Sequence, residues 1–401
     1  MRYSYLFVSV FLSLLFSSNS DKYTLIISFD GFRYDYLKNV DTPNFDKFKK
    51  SGVSSSLVPI FPSLTFPNHY SIATGCYADE HKILGNTFYS ESLNKKYSMG
   101  DSESVQNGEF YGMEPIWVTA EKNNLISATY YWIGSEAKIG DYRPSIYKEY
   151  DGSVSFKSRV DSVVSWYSAS IDKRPNLTML YFSEPDYTGH SYGPNSKEIN
   201  LSIIEMDNLL GYIISQLKEL EIYEKLDIII VSDHGMTDVS EDRLILLDKH
   251  INLKDFEMIL SPAIAHLKLK DDSKVDQLYI YKDIYNANAY HRENFPKNYH
   301  FLNNDSPDYI IVADLGWTIT TSSKIKQKKN FPGGMHGYDS KYTSMHGVFF
   351  ASGPSFKQNI VVDSFENINI YPIICRTLEI TPYINSIYWD QSLIKEVFVV
   401  E

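Results

Sequence analysis

Three stretches of the chain are apolar almost without interruption and then break into acid or imidazole. Tyr23-Thr24-Leu25-Ile26-Ile27-Ser28-Phe29 runs into Asp30-Gly31, Leu177 to Phe182 into Glu184-Pro185-Asp186, and Leu226 to Val231 into Ser232-Asp233-His234-Gly235. Short continuous runs rich in Ile, Val and Tyr predict strands buried on both faces, as in a parallel sheet. Between the second and third runs, Ile199, Ile203, Met206, Leu210, Ile213, Ile214 and Leu217 recur at helical spacing, which predicts a strand, a crossover helix and a strand. An earlier helix is signalled by Thr42 as N-cap, Pro43 at the first helical position, Phe45 and Phe48 on one face, and Gly52 past the end. A short helix between Pro67 and Gly75 directs its N-terminus at Thr65. The fold class expected is α/β. In open parallel sheets the ligand site lies off the carboxyl ends of the strands, where these acidic and imidazole groups fall.

A length of 401 residues allows one large α/β domain with insertions, and 43% hydrophobic content suffices for a core. Charged residues are 22%, with no fixed-period repeat or low-complexity tract, so disordered, collagenous and solenoid classes are excluded. The net charge of −12, without a basic block, argues against a surface that reads a nucleic-acid duplex through its phosphates. A small phosphate ester would be bound by metal ions or helix ends instead.

The N-terminus has a leader's organisation: Met1-Arg2, an apolar stretch from Tyr5 to Phe16, then Ser17-Ser18-Asn19-Ser20. Residues 1–20 are expected to be a cleaved secretory signal peptide, since a membrane anchor needs ~18 or more apolar residues. Residues 21–401 are then one catalytic domain, with about 240–335 as an inserted or peripheral segment. The chain stops at Val399-Val400-Glu401 without an apolar tail, so as written it is expected to be extracellular, or at the cell surface if a C-terminal anchor has been lost. Only Cys76 and Cys375 are present, which excludes a cysteine-rich module and predicts two free thiols, Cys76 serving as a small buried hydrophobe. Asn176, Asn200 and Asn304 begin glycosylation sequons.

The polar clusters carry the chemistry. Asp186 and His190 are four apart, Asp233 and His234 are adjacent, and His336 and His346 flank Gly337-Tyr338-Asp339. Carboxylate and imidazole donors on separate loops are the ligand types of zinc, and a paired-metal site fits them. Each element has a plainer role: a strand-terminal Asp caps helices, Thr65 can cap its own helix, and Phe66 or Tyr130 can be core aromatics. With Asp30 at the end of the first apolar run these make four clusters, which in a chain with ten histidines favour a shared site.

Six motifs in order resemble the ectonucleotide pyrophosphatase/phosphodiesterase family of the alkaline phosphatase superfamily. They are Asp30 through Leu37, Thr65-Phe66-Pro67-Asn68-His69-Tyr70, Gly112 through Trp117, Glu184 through Pro194, Ser232 through Met236, and His336-Gly337-Tyr338-Asp339 with Met345-His346-Gly347. The resemblance, from about Tyr23 to about Thr381, implies a central mostly parallel sheet with helices on both faces. It implies two zinc ions at the carboxyl ends of the strands, one held by Asp30, Thr65, Asp233 and His234, the other by Asp186, His190 and His346. It further implies Thr65 as nucleophile, Asn86 as phosphate-binding asparagine, and Phe66 with Tyr130 as an aromatic pair around a nucleotide base. The implied activity is hydrolysis of nucleotide phosphodiester or pyrophosphate bonds through a phosphothreonine, releasing a nucleoside 5′-monophosphate. A choline or lysophospholipid-type phosphodiesterase would use the same metals, and a catalytically idle surface protein would need none of these residues. The absence of Cys-x-Pro-x-Arg disfavours a sulfatase.

Overall fold

The first apolar run forms the strand Tyr23–Phe29, buried at every position. In the computed structural model, which describes residues 21–270, 284–327 and 330–399, this strand has parallel partners on both sides. Thr24 registers with Leu177 of the strand Leu177–Phe182 and with Asp227 of the strand Leu226–Val231. The three runs are thus adjacent central strands, and burial on both faces is why they show no polar alternation. Ser127–Tyr130 and Ile146–Lys148 extend the parallel set on one side. On the other, Gly347–Ser352 enters antiparallel beside Leu226–Val231 and is followed by Val53–Val58. The sheet is mixed but mostly parallel. The expected leader at 1–20 lies outside the described residues.

Alternate side chains of the central strands feed two separate cores. Ile26, Met179, Ile229 and Val231 pack with Tyr70, Ile72 and Trp117 on one face. Leu25, Ile27, Phe29, Phe182 and Ile230 pack with Phe45, Val160, Ile203 and Leu210 on the other. Helices therefore cover both faces, the α/β solution to a doubly buried sheet. The predicted crossover helix is Lys197–Lys218, and its apolar stripe is buried except for Ile214, which is only partly covered. The strands that it links are not neighbours, because Tyr23–Phe29 lies between them.

The helix Pro43–Lys50 forms, but Thr42 does not cap it: no side-chain bond is made there, and Thr42 Oγ1 is buried without a partner. Asp207, from the crossover helix, takes the role instead. It accepts the N–H groups of Asn44 (3.0 Å) and Phe45 (2.8 Å) and the side-chain amide of Asn44 (2.8 Å). A buried carboxylate satisfies two first-turn donors and meets the positive end of the dipole, which a threonine hydroxyl cannot match.

Between Leu226–Val231 and Gly347–Ser352 the chain builds a second, antiparallel sheet: Phe256–Leu260, Ile264–Leu269, Tyr309–Ala313 and Ala287–His291 in spatial order. It has its own core around Leu247, Leu267, Ile311 and Tyr338. Cys76 and Cys375 are both free and buried, and burial lifts each thiol to about 12. Of the three sequons, that of Asn176 begins on a buried side chain. It is 1% exposed, its carbonyl accepts Ile126 N–H, and its amide donates to Lys22 O. Asn304 is exposed and Asn200 half-buried.

The cross-element cap makes a stability prediction. Asp207→Ala strands first-turn N–H groups in an apolar setting and should cost roughly 2–4 kcal/mol. Urea unfolding of the two proteins measures it; a loss below half a unit of this range would return the cap to Thr42.

Candidate active site

The three central strands end side by side, so the residues that follow them meet. Gly31 makes the closest approach possible: at φ +66° it turns the chain so that a side-chain carbon there would lie 2.7 Å from Asp186 Cβ, contact that only glycine avoids. Gly31 N–H donates to Asp233 Oδ1 (3.2 Å), and Asp186 N–H donates to Asp30 O (3.0 Å). Asp30, Asp186 and Asp233 therefore converge.

Imidazoles complete the cluster in one consistent orientation. His234 Nδ1 faces Gly235 O at 2.8 Å, His190 Nδ1 faces Gly334 O at 3.0 Å, and His336 Nδ1 faces Ser63 O at 2.9 Å. A carbonyl only accepts, so each Nδ1 carries the proton and each Nε2 presents a lone pair. Those lone pairs point inward: His234 Nε2 lies 3.3 Å from Asp30 Oδ1, 3.1 Å from Asp233 Oδ2 and 3.2 Å from Thr65 Oγ1. His190 Nε2 and His336 Nε2 face each other at 3.2 Å beside Asp186, at 3.4 Å and 3.7 Å from its oxygens.

An assembly of acceptors with no donor between them is unstable by itself. Asp30 Oδ1, Asp186 Oδ1 and Asp233 Oδ2 are buried without hydrogen-bond partners, and among the described ion pairs only histidines approach these carboxylates. Burial, then Asp233 and Asp186, hold the Asp30 carboxyl well above its ordinary range. Burial foremost pushes Asp186 up to about 7, while on Asp233 the rise from burial is overcome by His234 and His69, which pull it down. Burial, with His234 and His190 beside it, keeps His336 neutral. Orphaned carboxylate oxygens and converging imidazole lone pairs are the donor set of a divalent cation, and two groups fit one: Asp186, His190 and His336, and Asp30, Asp186 and His234.

One predicted ligand is displaced. His346 does not join the cluster: its Nε2 donates to Ser340 O (3.1 Å) and its Nδ1 lies 3.2 Å from Ser56 Oγ. With both nitrogens engaged at the head of the strand Gly347–Ser352, it has no lone pair to offer, and His336, ten residues earlier, occupies the place.

Thr65 opens the helix Thr65–Thr74, which ends at Gly75 in the left-handed region (φ +69°). Thr65 is the first helical residue rather than the N-cap, a position held by Leu64 without a side-chain bond. The capping role is therefore not what Thr65 does; its hydroxyl turns to His234. His69, one turn later and fully buried, ties this helix to the cluster: Nδ1 lies 3.0 Å from Thr65 O and 3.3 Å from Asp233 Oδ2, and Nε2 2.8 Å from Ser28 Oγ. Tyr181 donates to Asp30 Oδ2 at 2.5 Å. Neither residue is assigned a role by sequence reasoning, although the i, i+4 spacing of Thr65 and His69 puts them on one helix face. Asn86 sits beside the helix Thr65–Thr74, where its Oδ1 accepts Phe66 N–H at 2.9 Å. That N–H is engaged within the protein.

A cleft of about 270 Å³ opens onto Thr65, Asp30 and Asp186 and is walled by Phe66, Tyr131, Trp132 and Tyr150, with Met99 and Glu136 at its edge. Tyr130 is not among its walls. It ends its strand with its ring against Trp166, 5.7 Å away, and behind Tyr131, 4.7 Å away. The next residue adopts φ +66°, and this reversal, invisible in the sequence, puts Tyr131 into the cleft.

Residues 24–339 match the model of the type I phosphodiesterase / nucleotide pyrophosphatase family. The chain belongs to the ectonucleotide pyrophosphatase/phosphodiesterase family. Family member 5 of Homo sapiens is 35% identical over 396 residues, covering 96% of this chain and 81% of that protein. The bis(5′-adenosyl)-triphosphatase of Mus musculus is 38% identical over 383 residues, 92% and 80% of the two chains. The venom phosphodiesterase of Naja atra is 36% identical over 375 residues, and the chain spans only 45% of its length. The solved murine member 5 superposes with a TM-score of 0.88 at 32% identity, covering 94% of this chain and all of that one. An inactive threonine-to-alanine form of that protein is solved in complex with AMP (TM-score 0.87, 33% identity, 94% of this chain and 100% of that one).

The two histidines after the inserted sheet separate experimentally. His336→Ala should reduce divalent-metal content, measured by plasma mass spectrometry after gel filtration, while His346→Ala should leave it unchanged. The reverse pattern would restore His346 as the ligand.

Proposed function

We propose that this protein is an extracellular, zinc-dependent nucleotide pyrophosphatase/phosphodiesterase that releases a nucleoside 5′-monophosphate. The observation that carries the proposal is the hydroxyl of Thr65. It is relieved of any capping duty, turned onto the acceptor cluster and placed, largely buried, in the lining of an aromatic cleft. The AMP complex of the murine relative supports a nucleotide in that cleft. The chain would be secreted through the leader read at 1–20. Among the described residues no helix is long and apolar enough to cross a membrane.

Two zinc ions, one held by Asp30, Thr65, Asp233 and His234 and the other by Asp186, His190 and His336, would lower the hydroxyl pKa of Thr65 and neutralise phosphate charge. The chain's own residues do the positioning. Phe66, Tyr131 and Tyr150 hold the base by stacking, which orients the phosphorus toward Thr65. Thr65 Oγ1, its proton released to solvent, then forms a bond to phosphorus while the bond to the leaving oxygen breaks and its electron pair departs with that group. Water hydrolyses the phosphothreonine, restoring the hydroxyl and freeing the 5′-monophosphate. Asn86 keeps its amide nitrogen beside the helix N-terminus, where it can donate to a phosphate oxygen while its carbonyl oxygen fixes Phe66. Trp132 Nε1 donates to His69 O (3.2 Å) and so steadies the helix that bears the nucleophile.

Two tests follow. Thr65→Ala should abolish turnover of p-nitrophenyl-thymidine monophosphate with most of the bound metal retained, and Thr65→Ser should keep partial activity; near wild-type kcat in the alanine variant would remove Thr65 from the chemistry. Tyr131→Ala and Phe66→Ala should raise KM for nucleoside diesters about tenfold, consistent with ~1–3 kcal/mol per stacked base, and affect bis-p-nitrophenyl phosphate much less. Tyr130→Ala should alter stability rather than this ratio. A wild-type protein that prefers glycerophosphocholine to every nucleotide would replace the proposal with the phospholipid-type activity.

A further inference from the structure

The hydrogen bond from Phe66 N–H to Asn86 Oδ1 is a partition with a concavity on each side. Phe66 walls the aromatic cleft, and Asn86 walls a second cavity of about 200 Å³. That cavity is built from both parts of the fold: Leu64, Gly85 and Thr87 come from the nucleophile side, and Ile259, Pro262 and His266 from the antiparallel sheet. Leu64 also touches Gly337, the residue after His336, since a side-chain carbon at Gly337 would lie 2.7 Å from Leu64 Cδ2. The cavity therefore flanks the nucleophile on the side of the Asp186, His190 and His336 group.

His266 is its unusual wall. Ile259 and His266 are register partners across the hairpin, so both side chains stand on one face of the sheet. The imidazole is 7% exposed, its Cε1 lies 3.8 Å from where a side chain on Gly85 would begin, and its Nε2 is buried with no hydrogen-bond partner. A buried ring nitrogen without a partner is costly, and evolution removes it cheaply by Leu or Phe unless a ligand supplies the bond. Beyond His266 and Ile259 lies a second cavity of similar size, about 200 Å³, where Lys268 is neutralised by Glu91 at 2.7 Å and covers the ring of Tyr89 at 4.9 Å. The first cavity has no lysine or arginine among its walls, and burial holds His266 down at about 4, so the ring is neutral.

We infer that this cavity is the subsite for the far end of the leaving group and takes a flat, uncharged ring with a polar edge, a second nucleobase, with His266 Nε2 as its hydrogen-bond partner. The inference rests on the proposed activity and adds to it a preference. Uncharged walls, apolar at Leu64, Ile259 and Pro262 and polar at Asn86, Thr87 and Ser261, with one neutral imidazole and no lysine or arginine, suit a ring with a polar edge; they offer no cation to a free pyrophosphate tail. His266 is thus a specificity-determining residue supplied by the antiparallel sheet and distinct from the proposed metal ligands.

The test compares diadenosine triphosphate with ATP, which share the nucleotide half and differ in whether the leaving group ends in a ring. In His266→Leu, KM for diadenosine triphosphate should rise about tenfold, with KM for ATP and both kcat values little changed, as expected for one lost bond to a bound ring. Ile259→Trp, which fills the same cavity from the facing strand, should act alike and guards against a folding defect in the first variant. Equal effects on the two substrates, or none on either, would overturn the subsite while leaving the proposed activity intact. A wild-type protein that hydrolyses neither nucleotide would overturn the activity and the subsite with it.

Discussion

Three carboxylates are forced into one buried volume by the register of the central sheet. Asp30 follows a strand whose Ser28 is level with both Tyr181 and Val231, so the acidic residues beyond those strands arrive at the same height. Two like charges at ~4 Å repel by about 4 kcal/mol at an effective dielectric of 20, and burial adds the cost of desolvation. The surroundings bear the marks of accommodating this. Gly31 has no side chain so that Asp186 can approach, Tyr181 donates to Asp30, and His69 braces Asp233. The remaining imbalance is the cation-shaped hole between oxygens and imidazole lone pairs.

The imidazoles show how a scaffold turns flexible side chains into fixed ligands. Each is pinned at Nδ1 by a carbonyl from a different segment: Gly235 beside its own strand end, Gly334 near the end of the inserted region, and Ser63 just ahead of the helix Thr65–Thr74. These carbonyls are ordinary backbone, so no side-chain pattern announces them. Their effect is to select one tautomer and one ring direction, which raises the basicity of the inward nitrogen.

What the sequence made legible follows from how local the cause is. Doubly buried strands, the crossover stripe and the Gly75 stop each depend on neighbouring residues and were readable. Thr42 was misread because its competitor, Asp207, comes from a distant helix that packs across it. His346 and His336 sit in equally suggestive glycine-rich surroundings, and only the hydrogen bonds of His346 to Ser340 and Ser56 separate them. Tyr130 failed by one position, because a left-handed residue after the strand breaks the alternation that sequence reading assumes. Asn176 carries a sequon, yet its amide closes a junction between two strands, a use that spacing cannot reveal.

The inserted sheet lies between Asp233 and His336 along the chain, while in space those two residues share one cluster. During synthesis, Asp30, Asp186 and His234 emerge long before His336, so one of the two candidate ligand groups is made early while the group of Asp186, His190 and His336 waits for the chain beyond the inserted sheet. Domains that fold as they emerge pass through such partial states. Under the proposed function, pairing of the two ligand sets therefore waits on a residue made after the inserted sheet, so a chain interrupted before His336 would hold Thr65 beside only one of them.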